Sequence, residues 1–464
     1  RDVYNRQEGT LFNIPVIVRF SGPLRTGQLR KTFAFLFDRH EALRTVFELQ
    51  DEALVLRVLP SMTPDMTVQY LSDYPRKSKA AELEKIRKAE GRHRFRFETG
   101  PLVKLRLVIV DKHEFQLFLT FHHLIIDGWG ASVFFREFAA AYEAICAGKT
   151  PVLPDKKISY GDFSLWQHDR LNSVALHQQT QYWIERLHGA SFMQNIPYDY
   201  SKPSAHSFSG ARRAFSIPPD IASAISDYCL QSSCTLFMYL MASFQILLRR
   251  YTGRNDIITG TTIANRNHPD TAAIVGLMAN SLAIRTGFTG DPHFSDVLLQ
   301  VRKASLEAFD HQDAPFEIVV ENAIQHRERG HHPVFQNLFI LQNPTEPVFR
   351  AGDLSFTYEE VGNETAKIDL LLNAELKNGS IECWIEYNTD LFHGDTIERI
   401  ANDYLWIASH ALQDADTPVS SWNLPSVPET SRYAGEEKLL EVTCCHQLVE
   451  RQAARTPDRI AVCC

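Results

Sequence analysis

The chain has 464 residues, 44% of them hydrophobic and 22% charged, with a formal net charge of -8. That length exceeds one ordinary core and calls for two substructures, and the apolar fraction excludes disorder on a large scale. An acidic balance without a Lys/Arg stripe argues against nucleic acid, and the longest apolar run, Leu236 to Leu248, falls short of the roughly 20 residues needed to span a bilayer.

In chain order, Pro15 to Phe20 alternates apolar residues as a strand does, and Leu29, Phe33, Leu36 and Phe37 follow at helical spacing. Strands are predicted at Leu54 to Leu59, Leu102 to Val110 and Phe115 to Phe121, and helices at Ala80 to Glu90 and Ala131 to Cys146. Tyr160 to Leu187 reads as one or two helices. A second α/β series starts near Arg212, runs through the apolar helix Leu236 to Tyr251 and strand Asp256 to Thr261, and ends with strand Ser380 to Tyr387 and helix Asp395 to Leu412. From Gln413 to Glu437 the composition turns to Asp, Pro, Ser and Glu, the chemistry of a linker.

The chain opens without a basic start and an apolar stretch, so a cytoplasmic location is expected. Cys444-Cys445 and Cys463-Cys464 are adjacent pairs without C-x-x-C spacing, so free thiols and no metal site are expected.

The segment with the strongest chemical signal is Phe121-His122-His123-Leu124-Ile125-Ile126-Asp127-Gly128, at a strand-to-helix junction where polar side chains converge at a sheet end. A His pair alone is weak, since 18 histidines are present and His331-His332 forms a second pair. The Asp four residues after His123, followed by Gly128 and Trp129, distinguishes the first.

This segment resembles the HHxxxDG motif of the condensation domains of nonribosomal peptide synthetases, an extension of the HxxxD signature of chloramphenicol acetyltransferase-like acyltransferases. Further segments in the same order support the resemblance. Arg39-His40-Glu41-Ala42-Leu43-Arg44-Thr45-Val46-Phe47 is similar to RHExLRTxF, and Tyr160-Gly161-Asp162-Phe163-Ser164-Leu165-Trp166 to YxDFxxW. Val275-Gly276 with Asn280-Ser281-Leu282 and Arg285 is similar to VGxFVNTLxxR, although Met278 and Ala279 replace the usual Phe and Val. His311 to Glu317 resembles HQDxPFE, and Pro333 to Gln336 resembles PLFQ. Gly130 stands where Ser is common, and the family's opening motif is missing, so the chain is expected to start inside the domain.

The resemblance implies an α/β fold of two chloramphenicol acetyltransferase-like lobes in a V-shaped pseudo-dimer, with the active site in a tunnel between them. The expected boundaries are an N-terminal lobe over 1–170, a C-terminal lobe over 171–412 and a linker over 413–437. Residues 438–464 resemble the start of an adenylation domain, through His446-Gln447-Leu448-Val449-Glu450 and Thr456-Pro457-Asp458. No glycine-rich phosphate loop and no carrier site are present, so activation and carriage of substrates are expected of other domains.

The implied reaction is attack by the α-amine of an acceptor aminoacyl thioester on a donor acyl thioester. Both substrates ride on the 4'-phosphopantetheine arms of an upstream and a downstream carrier protein, and the domain itself binds no cofactor. Under that resemblance His123 takes the amine proton or stabilises the tetrahedral species, and His122 supports the loop. Asp127 holds the loop by pairing with an arginine, for which Arg285 is the candidate. Gly128 leaves room for the pantetheine arm, Trp129 lines the passage or packs, and Asn280 donates a hydrogen bond near the loop. Asp313, Pro315 and Phe316 shape a crossover between lobes. The adenylation-like tail disfavours a free-standing coenzyme A-dependent acyltransferase and an epimerisation domain, and the intact His pair disfavours a heterocyclising domain and a non-catalytic docking module.

Overall fold

The alternating stretch at Pro15 to Phe20 becomes an interior strand of a sheet. In the computed structural model, which describes residues 10–50, 53–201, 208–324, 332–342 and 348–426, strand β1 (Asn13–Ser21) lies antiparallel between β6 (Glu114–His122) and β12 (Leu354–Glu360). β5 (Val103–Asp111) and β4 (Met66–Tyr70) extend one side and β11 (Phe349–Ala351) closes the other, giving the order β11-β12-β1-β6-β5-β4. β2 (Thr45–Gln50) and β3 (Ala53–Val58) pair separately.

Both faces of this first sheet are covered. Helix α1 (Thr26–Arg39) and helix α3 (Gly128–Cys146) bring Leu29, Phe33, Phe134 and Phe138 against Leu117, Leu119 and Phe121 of β6. On the opposite face, Ile86 of α2 (Arg76–Gly91) meets Ile17, Val108 and Phe118. A strand covered on both sides reads as a continuous apolar run, which explains Phe118 at a position where simple alternation calls for a polar residue. Every residue from Leu117 to His122 is buried. Each large side chain so placed contributes roughly 1.5–3 kcal/mol.

The stretch from Tyr160 to Leu187, read as one or two helices, forms two, α4 (Tyr160–Arg170) and α5 (Val174–Leu187). α4 starts on a capping box in which Ser159 and Asp162 satisfy each other's backbone N–H groups. The second sheet is built from β7 (Gly210–Ile217), β8 (Asp256–Ile263), β9 (Asn280–Gly287), β10 (Asn337–Gln342), β13 (Leu370–Lys377) and β14 (Ser380–Asn388). Their order is β7-β14-β13-β10-β8-β9. β10 pairs parallel with both β8 and β13, and the remaining pairs are antiparallel.

The helices of this half are α6 (Pro219–Gln231), α7 (Leu236–Thr252), α8 (Phe294–Asp310), α9 (Phe316–Ala323) and α10 (Gly394–His410). The apolar run of α7 is buried without a break from Met238 to Leu248, capped by the Thr235 hydroxyl and ended by Gly253 at φ 67°. It is a core helix, and among the described residues no single helix is long and apolar enough to cross a membrane.

Two boundary expectations need correction. Residues Phe349–Ala351 and Leu354–Glu360 leave the second sheet and complete the first, so the lobe expected over 171–412 is not contiguous. Periodicity identifies a strand but not its sheet, and the register Phe20↔Phe356 depends on a partner far away in sequence. The stretch read as linker also begins packed. Val419 and Trp422 are buried, and the Trp422 ring stacks 6.4 Å from Phe294. Two apolar anchors thus outweigh a polar composition. The expected adenylation segment, 438–464, lies outside the described residues.

Candidate active site

β6 ends where β1 begins, with Asn13 opposite His122, and this register places the His pair at the end of an interior strand. The backbone N–H of His122 donates to Leu102 O at 2.9 Å, and that of His123 donates to Phe12 O at 2.8 Å. A short 3₁₀ turn (His123–Ile125) then leads to Asp127, the N-cap of α3.

His122 is fully buried in an aromatic cage, its ring 4.9 Å from Phe97, 6.0 Å from Phe95 and 6.4 Å from Phe12. Its Nδ1 accepts the Leu124 N–H at 3.2 Å, so the neutral ring carries its proton on Nε2. Burial pushes its pKa down to about 3, with His123 and Lys367 adding to the effect. His122 is a neutral wedge that shapes the turn.

His123 is half-buried, and among the described residues its enclosed Nδ1 has no hydrogen-bond partner. Burial and then the Lys367 charge lower its pKa to about 4, against opposing pulls from its own backbone carbonyl, Asp127 and Glu360. The imidazole is therefore unprotonated at neutral pH, the form a proton acceptor needs.

Asp127 is buried, and both its oxygens are saturated. Oδ1 accepts the Gly130 N–H at 2.8 Å and Arg266 Nη2 at 3.0 Å. Oδ2 accepts Arg266 Nη1 at 2.9 Å and the N–H groups of Met278 and Ala279 at 3.0 and 3.1 Å. The arginine expected to hold this carboxylate was Arg285, and the structure corrects that assignment. Arg285 instead forms a bidentate pair with Asp256, with 2.9 Å contacts, and donates to the carbonyls of Arg186 and His188. It ties the start of β8 to the end of α5. Arg266, in the polar loop Asn265-Arg266-Asn267 after β8, was missed because no recognised motif covers it; the available signal was an arginine at the end of a strand.

The other expected residues divide in the same way. Gly128 is exposed and outside the left-handed region, and among the described residues an added Cβ would meet only Gln342 Oε1, at 4.0 Å. Nothing in its local backbone demands glycine. Gly276 differs sharply: a Cβ there would lie 2.3 Å from the Tyr160 ring, whose hydroxyl donates to Leu277 O at 3.0 Å. Trp129 is 37% exposed, and its indole N–H donates to Ala272 O at 2.9 Å, so it clamps the start of α3 to the segment that supports Asp127.

Asn280 does not serve the histidine loop. Its amide donates to Gln312 O and Ala314 O, and its Oδ1 accepts the N–H groups of Ser281 and Phe316, so it anchors the His311 to Glu317 segment. That segment is fixed from the other side by Gln179, whose Oε1 accepts the N–H groups of Asp313 and Ala314. The Arg39-His40-Glu41 motif is a helix-end lock, with Arg39 bidentate on Glu137 at 2.6 and 2.9 Å and His40 Nε2 at 2.8 Å from the same carboxylate. Burial alone would raise the Glu137 pKa, but the His40 and Arg39 bonds hold it at about 2. Among the described residues no group of three His, Cys, Asp or Glu side chains is arranged to hold a metal.

The family model described as Condensation domain matches residues 4–432. The chain belongs to the condensation-domain family. It is 32% identical to a linear gramicidin synthase of Brevibacillus parabrevis over 97% of this chain and 6% of that protein. It is 31% identical to surfactin synthase subunit 1 of Bacillus subtilis (strain 168) over 98% of this chain and 12% of that protein. The chain thus spans a small part of the curated relatives it matches.

Among solved structures, the X-domain from teicoplanin biosynthesis superposes with a TM-score of 0.81 at 22% identity, covering 90% of this chain and 94% of that one. The starter condensation domain of rhizomide synthetase, crystallised with C8-CoA, superposes at 0.79 and 20% identity, covering 90% and 93%. These likenesses show the two-lobed fold of condensation domains. Condensation domains of nonribosomal peptide synthetases are acyltransferases that form amide bonds, and in this one the HHxxxDG segment is intact.

Proposed function

We propose that this condensation domain joins a donor acyl or peptidyl thioester to the α-amine of an acceptor aminoacyl thioester, with His123 taking the amine proton. The donor and acceptor reach the site on the phosphopantetheine arms of carrier proteins, through a tunnel between the lobes. The observation that carries this reading is the placement of His123: a half-buried imidazole where interior strand β6 ends, in the turn that leads to Gly128, at which an added side chain would meet little among the described residues. With Nδ1 enclosed, Nε2 is the ring nitrogen offered to a substrate.

The nitrogen lone pair attacks the thioester carbonyl carbon, the C=O π pair moves to oxygen, and the ammonium of the tetrahedral adduct gives its proton to Nε2. Collapse re-forms the carbonyl, breaks the C–S bond and releases the donor arm as a thiol protonated by the imidazolium. A thioester is already activated, so positioning supplies much of the rate, and proton transfer contributes about 10²–10⁴-fold.

His122, Asp127, Arg266 and Trp129 act by holding His123 in place. Residues 438–464 are read, from their resemblance, as the start of an adjoining adenylation domain, and the setting as cytoplasmic. The test is to supply donor and acceptor carriers loaded with defined aminoacyl groups and to weigh the acceptor carrier by mass spectrometry. Dipeptidyl carrier formed only in the presence of this domain supports the reading, whereas unchanged carriers across a panel of aminoacyl groups would refute it.

A further inference from the structure

The corner between α6 and α7 carries two cysteines that amide formation does not use. α6 ends on Ser232, and the next residue, Ser233, takes the left-handed conformation at φ 51°. The Cys234 N–H then donates to Cys229 O at 3.0 Å, and the Ser233 N–H to Leu230 O at 3.3 Å. These are the two bonds of a Schellman motif, a helix ending that brings the side chain two residues past the C-cap against the one three residues before it. In this chain both positions are cysteine, and both are free thiols.

The two thiols differ in chemistry. They are in hydrogen-bonding contact, with Cys229 the donor and Cys234 the acceptor. A donated S–H favours the thiolate of the sulfur that receives it, so Cys234 is the better nucleophile of the two. Cys234 is also half-buried where Cys229 is buried, and the positive charge of Arg302 on α8 favours its thiolate further. Burial still raises both thiols, Cys229 to about 12, so the pair rests protonated and reacts slowly at neutral pH.

We propose that Cys229 and Cys234 are a modification site for hydroperoxides, closing reversibly to a disulfide that pins the corner between α6 and α7. A disulfide needs sulfurs that face each other across a short gap, and the Schellman bonds hold the two side chains in that relation. The Cys234 thiolate attacks the peroxide O–O bond and becomes a sulfenic acid, while the departing hydroxide takes up the proton that Cys234 lost. The Cys229 sulfur then displaces water from the sulfenic acid as its own proton leaves, and the S–S bond forms. Two thiols lose two electrons and two protons, and one peroxide becomes two waters. The corner so tied leads into the core. Thr235, next to Cys234, caps α7, whose residues are buried from Met238 to Leu248. Across the same corner, where the two helices bend by 106°, the rings of Tyr228 and Tyr239 pack edge to face at 5.6 Å.

The test reads the sulfurs directly and needs no turnover. The full chain, reduced and freed of reductant, is treated with a small excess of hydrogen peroxide at mildly alkaline pH while circular dichroism monitors the fold. It is then alkylated with iodoacetamide in denaturant and digested with trypsin. Residues 214–249 form one tryptic peptide that holds both cysteines and no other. The expected product is this peptide unalkylated and lighter by two hydrogens, restored to the doubly alkylated form when dithiothreitol precedes alkylation. Cys229→Ser is expected to stop at a Cys234 sulfenic acid that dimedone traps, and Cys234→Ser to leave Cys229 alkylatable. The closed form is expected to unfold at a higher urea midpoint than the reduced form, because the bridge constrains the unfolded chain. A folded wild-type chain whose two thiols stay alkylatable after peroxide treatment, or join other peptides instead, overturns the proposal. An unchanged urea midpoint in the closed form overturns the pinning of the corner.

Discussion

At the scale of single residues, the two glycines of the site motifs separate a functional from a structural demand. Gly128 has open space where a side chain would project, and Gly276 has the Tyr160 ring there. Gly128→Leu is therefore expected to keep the thermal midpoint while greatly reducing amide formation. Gly276→Ala is expected to lower stability by about 1–3 kcal/mol through overpacking. Paired thermal melts and turnover assays check both, and a destabilised Gly128→Leu would place that glycine among the structural ones. The same contrast separates the histidines. Both are kept unprotonated by burial, but His122 is sealed in three phenylalanine rings and His123 retains accessible surface. Their adjacency was legible in the sequence. The cage was not, because Phe12, Phe95 and Phe97 come from segments that meet only through sheet pairing.

At the scale of elements, the site is a joint between β6, the start of α3 and the loop and strand that follow β8. Asp127 caps α3 with one oxygen and receives Arg266 and two backbone N–H groups with the rest. Breaking one side of a buried pair costs about 3–5 kcal/mol. Asp127→Ala and Arg266→Ala are expected each to destabilise by that order, and the double variant by much less than their sum. Chemical denaturation of the three variants measures this, and additive losses would contradict the pairing. Arg285→Ala is expected to show no coupling to Asp127→Ala, since it belongs to the Asp256 pair. A carboxylate needing an arginine was readable from the motif. Which arginine was not, because both lie in the stretch around β8 and β9 and only the fold selects one.

At the scale of the whole molecule, most elements were legible because long amphipathic stretches carry their period openly, and the two-sheet division followed from the resemblance. The passage of β11 and β12 into the first sheet was hidden, since it depends on which edge is vacant. Burial of histidines also acts globally. His40, His93, His122, His123 and His332 all have lowered pKa values, with burial the leading cause in each, down to about 4 for His93, His123 and His332. Above an unfolded value of about 6.5 neither state binds these protons. As pH falls below it the unfolded chain takes them up and the folded chain does not, so stability is lost progressively toward pH about 4. Urea midpoints measured between about pH 7.5 and 5 are expected to fall before the carboxylates begin to titrate. A flat profile over that range would contradict the folded-state values.

The central claim is that His123 performs the proton transfer of amide formation, and its most direct test is a single-turnover comparison. Pre-loaded donor and acceptor carriers are mixed with the wild-type domain or with His123→Ala, and the dipeptidyl carrier is quantified over time. The expected result is a loss of about 10²–10⁴-fold in rate with circular dichroism and urea midpoint preserved. A folded His123→Ala variant that condenses at the wild-type rate would contradict the account.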